Sequence, residues 1–480
     1  MRYRYALFLF IVLIILPLNI YAQIGMGNTN PHASSILDIT STTKGVLTPR
    51  MTSLQRVAIT SPADGLLVYD TDEGAFYYFE NTIWNKMEGK TRDNYKLVKN
   101  VSDLADELAA GGGTSYLLTS NTYYEINGNI TLAFPITLND AYISGLDAGE
   151  DKLIRSGGDI FSGSSGGFVR NLTLEASGMG SAVFNLTGTG VEALIFQNCI
   201  VSDSGSVGSI SNFGLAFFNI VQFINNSDGI SFTNIYSLLL SNLGWFGNNA
   251  GTYETYTGNF NLIEKVSGFS IVPPGAVGLD VSANPTVGAG VISGTPFTGP
   301  GTHVIGYTAG SYTNYFFSNN WNVNCPGLKV ENDVSAAANF YFNGTITTGF
   351  VQSITNGTAV PIQGNGTFTA TNLFRFTDVG GNRLVYDGIE DRSFQVNASL
   401  SVRVTGAAGN FYAIVFYKNG TQITESNAVV YVDSDTQIQN VAITAEVNLS
   451  NGDYIEVYTQ RLTGSGTDSF IVFSENVSIN

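Results

Sequence analysis

Residues 215–224 read LAFFNIVQFI, and four runs of the same character surround them: VRNLTLEA from Val169, VEALIFQNC from Val191, IYSLLLSNL from Ile235 and FNLIEKVSGF from Phe260. Each run has strand length and strand-forming residues, and each is bounded by Gly, Ser or Asn. Their starts are separated by 22, 24, 20 and 25 residues, and one coil of a parallel β-helix needs roughly 20–25. Several runs are apolar on successive residues rather than alternate ones, as strands at the centre of a solenoid can be. Asn219, Asn225, Asn226 and Asn242 suit tight turns between faces. A two-sheet sandwich would also give short strands with turns between them, but the persistence of the spacing favours the solenoid.

The theme continues less regularly from Ala289 to Phe350, through Val304-Ile305-Gly306, Trp321-Asn322-Val323 and Phe340-Tyr341-Phe342. Pro273-Pro274 and GTPFTGPGT, from Gly294 to Thr302, mark a break or a loop. From about Leu373 the pattern changes. Phe394, Val396, Ala398, Leu400, Val402 and Val404 alternate with polar residues, so one face is buried and the other wet. Seven or eight such strands predict an antiparallel sandwich over 373–480, joined to the solenoid by a linker at 351–372.

The 480 residues are 44% apolar and only 12% charged, with 54 Gly and a formal net charge of −17. That balance excludes a disordered tail, and the acidic surplus disfavours nucleic acid as a partner. At the start, Arg2 and Arg4 precede an apolar run from Ala6 to Ile20, and Ala22 stands before Gln23. Residues 1–22 therefore read as a cleaved export signal, the run being shorter than the ~20 residues of a membrane span. The alternative is a membrane anchor. No later apolar stretch is of spanning length, so no transmembrane segment is expected in the mature chain, which is placed outside the cell or on its outer surface.

Residues 23–90 form a separate short module. Its pattern runs from Gly25 through Asn30, Pro31, Leu37, Asp38, Lys44, Gly45, Pro49, Arg50 and Met51 to an aromatic strand ending at Trp84. This resembles the N-terminal module of secreted tail-fibre-like proteins of Bacteroidota, which implies a role in attachment or fibre assembly. Gly25-x-Gly27 is no nucleotide signal, since it neither follows a strand nor opens a helix. Beyond it, NVSDLADELAA at 100–110 predicts a short helix over 101–110, with Ser102 as N-cap, Leu104 and Leu108 on one face, and Gly111-Gly112-Gly113 ending it. A helix so placed before a β-rich run is similar to the cap of pectate-lyase-like parallel β-helices, including phage tailspikes. That likeness assigns 91–350 to a right-handed solenoid. The C-terminal strands, with NGDYIEVYTQRLTGSG at 451–466, resemble jelly-roll heads of the tumour-necrosis-factor and C1q type and of tail fibres. Both likenesses imply a homotrimer.

Reactive residues are scarce. A glycan-cleaving site needs two carboxylates on adjoining coils, and the candidates are Asp147, Glu150, Asp151, Glu175 and Glu192, with Asp140 and Asp159 beside them. Asp147, Glu150 and Asp151 fall in GLDAGEDK, which also reads as an exposed turn. The two histidines, His32 and His303, cannot make a three-histidine zinc site, and no HExxH, GxSxG or P-loop motif is present. Asp433-Ser434-Asp435 lacks the remaining ligands of a calcium loop. No cofactor or metal is expected. Trp245, Tyr253, Tyr256, Tyr312 and Trp321 are candidates for stacking on a sugar if they project outward, and core residues if they do not. Cys199 and Cys325, the two cysteines, either form one long-range disulfide or are simply buried.

The expected function is an extracellular adhesin or receptor-binding fibre recognising a surface glycan or protein. The alternatives are a tailspike-like polysaccharide hydrolase or lyase and a structural component of an extracellular filament.

Overall fold

A computed structural model describes residues 23–87, 92–363, 368–406 and 409–480. The expected export signal lies outside the described residues. The chain divides at Arg92 into two compact units.

In the first unit, Ile24–Met26 pairs in parallel with Leu37–Ile39, and Arg50–Met51, Leu67–Asp70, Ala75–Glu80 and Ile83–Lys86 form a second, four-stranded sheet. The small sheet is tied to a one-turn helix, Ser53–Val57, by an ion pair between Arg56 and Asp70 at 2.8 Å. The Arg56 guanidinium also lies 3.7 Å from the centre of the Tyr77 ring.

The second unit begins with a sheet of 21 strands running from Tyr95–Val98 to Trp321–Asn324, every pair of them parallel. Each coil lays its strands on those of the coil before. The register Phe168↔Ile195↔Phe217↔Leu239, for example, passes through four successive coils. The pairing does not stop at Pro273-Pro274: Asn259–Ile271 pairs with both Thr286–Ser293 and Phe297–Thr298. The expected break is thus only a loop between rungs.

Turning the chain at every coil requires a residue that accepts positive φ at a fixed corner. Asn171, Asn198, Ile220, Asn242 and Ser267 fill that corner on consecutive coils, with φ between 53° and 63°. Inside, Phe184, Phe196, Phe218 and Phe232 pack edge to face at 5.2–5.7 Å. Buried Asn226 and Asn249 bond to one another (3.0 Å) and to the carbonyls of Val201 (3.0 Å) and Phe223 (2.6 Å), so interior polar groups at that turn are satisfied by stacking.

At the start of the solenoid a 3₁₀ turn, Val101–Leu104, runs into the helix Ala105–Ala110. Leu104 enters the solenoid core and Leu108 packs against it. The cap is Asn100 rather than Ser102, because the Asp103 carboxylate accepts the backbone N–H groups of Lys99 and Asn100 (2.8 and 2.9 Å) and starts the turn two residues earlier. Glu107, on the buried side of this helix, is held by Lys96 (2.7 Å) and the Tyr124 hydroxyl (2.9 Å).

The parallel ladder ends at Asn324, not near Phe350. Ala337–Asn343, which contains Phe340-Tyr341-Phe342, pairs antiparallel with Thr467–Ile479, and Phe350–Thr355 pairs with the same strand. Ala359–Pro361 and Thr369–Phe374 are likewise head strands, so the stretch expected as a linker supplies the sandwich. An apolar run alone does not reveal whether its partner is the previous coil or a strand more than a hundred residues ahead. The head is two facing antiparallel sheets with their own core, into which Phe394, Val396, Leu400, Val402 and Val404 all point.

Glu475 lies wholly inside this sandwich. Burial pushes its carboxyl up to about 8, against a smaller downward pull from the Asn382 amide. Below about pH 4.5 the group is neutral whether the chain is folded or not. As pH rises the unfolded chain ionises first, so stability falls between about pH 4.5 and about pH 8 and then levels. Glu475→Gln should remove that slope, raising Tm at pH 8.5 and changing it far less at pH 4.5 in paired thermal melts. At the strained corner, Ile220→Asn should stabilise the chain by about 1 kcal/mol in urea titrations, since a β-branched residue is the least suited to positive φ.

Candidate functional site

Strand alternation decides the fate of the aromatic candidates. Trp245, Tyr253 and Tyr256 are 0% exposed and Trp321 is 1% exposed, all within the solenoid core. They are therefore not sugar platforms. Trp245 stacks on Tyr253 at 4.3 Å, and the Tyr256 hydroxyl donates to Glu254 (2.7 Å), which is itself ion-paired with buried Lys265 at 2.7 Å. The cysteines are free and buried. Following the register from Gln197 to Asn324 takes five coil-to-coil steps. At about 4.8 Å each that separates Cys199 from Cys325 by roughly 24 Å, far beyond disulfide reach.

The carboxylate candidates do not assemble either. Asp140, Asp147 and Glu150 are exposed. Asp151 accepts the N–H groups of Gly128, Leu146 and Asp147 (2.7, 2.7 and 3.1 Å) and so clamps the turn around it. Burial pushes its carboxyl up, but these three donors outweigh burial and leave it below the ordinary range. Glu192 closes its own turn by accepting from Thr189, Gly190 and Val191. Burial again opposes, the donors again win, and the group is held at about 2. Neither can serve as a proton donor near neutral pH, which needs a raised carboxyl. Glu175 is paired with Lys152 at 2.8 Å.

A different face of the solenoid carries a groove of about 470 Å³ crossing successive coils. Its outward positions repeat in register as Asn185↔Ser209↔Ser231↔Thr255, and beside the groove, two residues on, a second column runs Thr187↔Ser211↔Thr233↔Thr257. Hydroxyls of the second column bond along the ladder, Ser211 to Thr187 at 3.0 Å and Thr233 to Thr257 at 2.6 Å. Asp159 and Asp228 border the groove. Asp159 accepts from Ala182 N–H (3.1 Å) and the Asn185 amide (2.8 Å), Asp228 from Gly229 and Thr252 N–H (both 2.9 Å). The two acids stand three coils apart, and each leans one coil the same way. Their separation is thus about 14 Å, against roughly 5–9.5 Å for a hydrolytic pair. Asp228 and the hydroxyl columns escaped the reading of the sequence because Ser and Thr at strand positions carry no individual signal. Their repeat emerges only once the register is known.

A second cavity, of about 670 Å³, lies where the last coil meets the head, lined by Tyr312, Asn319, Asn320, Thr377, Asp387 and Asn451 among others. Tyr312 is an aromatic candidate that lines this cavity. Its hydroxyl bonds to Asp387 at 3.2 Å, and burial, with the Asp387 charge adding to it, pushes the phenol up to about 12. The joint beneath is built on Arg375, buried and at φ 59°. Its guanidinium donates to Asn319 Oδ1 (2.6 Å) and the Trp321 carbonyl (2.7 Å), and its Nε lies 3.0 Å from Asp333.

The second unit is thus a parallel solenoid, closed at its start by a short helix, followed by an antiparallel sandwich. Residues 25–102 match the family described as phage tail like trimerisation region, a span that covers the first unit from Gly25 onward and the first strand of the solenoid. Comparison with curated proteins finds no match. Among solved structures, the chain is similar to Eiger TNF from S. frugiperda (12% identity, TM-score 0.22, 30% of this chain and 91% of that one) and to the PRD1 vertex protein P5 (13%, 0.20, 30% and 96%). The enzymatically active domain of bacteriophage CBA120 tailspike protein 4 aligns over 90% of this chain and 77% of its own, at 12% identity and TM-score 0.22. At scores this low the architecture rests on the strand pairing itself.

Removing the Arg375 side chain leaves Asp333 charged and buried, which typically costs about 3–5 kcal/mol. Arg375→Ala should show that loss in denaturant titrations, and Arg375→Lys should not rescue it, because an ammonium cannot reach Asn319, Trp321 and Asp333 together.

Proposed function

We propose that the chain is a subunit of a secreted, homotrimeric, tailspike-like fibre that binds a surface polysaccharide along the polar flank of its solenoid. The in-register columns of hydroxyl and amide groups carry this reading. They offer hydrogen bonds at a regular spacing of about 4.8 Å over several coils, which suits an extended chain of sugars better than a compact ligand. Three copies of a weak site raise avidity without a catalytic centre. The family match at residues 25–102 supports self-association, and the N-terminal apolar run supports export.

Cleavage of the polysaccharide is the second reading, favoured by the presence of Asp159 and Asp228 in one groove. It requires bound substrate to draw the two carboxylates to within ~9.5 Å if water is the nucleophile. A panel of bacterial and algal polysaccharides tested for both retention and product release separates the two. Binding predicts retention that Ser209→Trp weakens at least tenfold while Asp228→Asn changes it little. Cleavage predicts reducing ends or unsaturated products that Asp228→Asn and Asp159→Asn each abolish. Neither retention nor products from any polysaccharide would leave the structural-filament alternative.

A further inference from the structure

We infer that a second face of the solenoid, distinct from the polar flank, is the surface through which copies of this chain pack on one another. This rests on the homotrimer reading and names its contact surface. One outward column of the parallel ladder runs Tyr123↔Tyr142↔Phe168↔Ile195↔Phe217↔Leu239 without a polar residue. Its inner-facing neighbours already fill the solenoid core, so these side chains are the outer face of a sheet whose other face is covered. Tyr142 and Phe168 are 39% and 37% exposed, and the column is open enough to form a shallow groove of about 250 Å³ beside Arg170 and Gln197. Parallel sheets are normally covered on both sides, and a continuous apolar strip on a soluble chain marks an interface.

The ring geometry argues against a sugar as the occupant. Tyr142 and Phe168 stack at 4.7 Å with planes 22° apart, and Tyr95 and Tyr123 at 6.0 Å and 13°. Their faces are turned to one another along the solenoid, leaving ring edges outward, whereas sugars stack on ring faces. Ile195 and Leu239 extend the strip with aliphatic surface that offers a glycan no hydrogen bond. The occupant is identified by continuity. Tyr95 pairs in register with Tyr123 and begins the column, and it lies within the residues that match the trimerisation region. The strip therefore continues from the self-association segment up the solenoid, and a second copy of this chain, carrying the same strip, is its complement.

Cysteine labelling of the mature full-length chain tests this, the native cysteines being buried. At a concentration where the wild type sediments as a trimer, Leu239→Cys should react with a maleimide at least tenfold more slowly than Ser209→Cys on the polar flank. Adding Phe217→Glu to Leu239→Cys should restore fast labelling, with Ser209→Glu as the control that does not. Should Phe217→Glu fail to fold, dilution below the dissociation range serves as the second arm and should likewise restore labelling. Equal labelling rates within an intact trimer overturn the inference and leave the homotrimer standing. A monomeric wild type overturns both. Protection that appears only when polysaccharide is added also overturns it, by assigning the face to the ligand.

Discussion

In-register parallel pairing between coils is the constraint on which the solenoid depends. Because each residue lies over its counterpart one coil earlier, a chemical choice made once is repeated as a column. Phenylalanines become an interior stack, asparagines a corner, hydroxyls one outer face and apolar residues another. A one-residue slip would exchange every inward side chain for an outward one. The buried Asn226–Asn249 ladder opposes such a slip, since its amides find partners only when the coils are aligned.

Much of this was legible in the residues. The recurrence of LAFFNIVQFI-like runs at coil length gave the solenoid, and strict alternation from Phe394 to Val404 gave the sandwich, because period and spacing are properties of the backbone. What was not legible depended on partners distant in sequence. Phe340-Tyr341-Phe342 resembles a rung, yet its neighbour is the C-terminal strand. Trp245 and Tyr253 have the chemistry of a sugar platform, yet they face inward, and the side on which a residue falls is fixed by a register that no single run discloses. The acids were misleading for a related reason. Asp151 and Glu192 are where turns need N–H groups gathered, so their charge closes loops and leaves nothing for proton transfer. The apolar character on successive residues, first read as the mark of strands at the centre of a solenoid, has its counterpart in the outward strip from Tyr123 to Leu239.

The meeting of solenoid and head shows how two cores with different hydrogen-bonding directions are joined. Among the described residues, the last coil and the sandwich have separate apolar clusters. A planar cation bridges them, with Arg375 of the head reaching the Trp321 carbonyl of the final strand while Asp333 also accepts the backbone N–H groups of Ile389 and Glu390 (both 2.7 Å). Guanidinium geometry suits this task, since its donors diverge in one plane and reach several acceptors at once.

The helix at one end and this joint at the other have a consequence for how the solenoid comes apart. A stack of coils that touch only their neighbours unravels most readily from a free end, one coil at a time. Here Leu104 covers the first coil and the head holds the last, so opening must begin in the interior, where two ladders break together. The barrier to opening, more than the equilibrium stability, then sets how long the fold survives proteases and detergents.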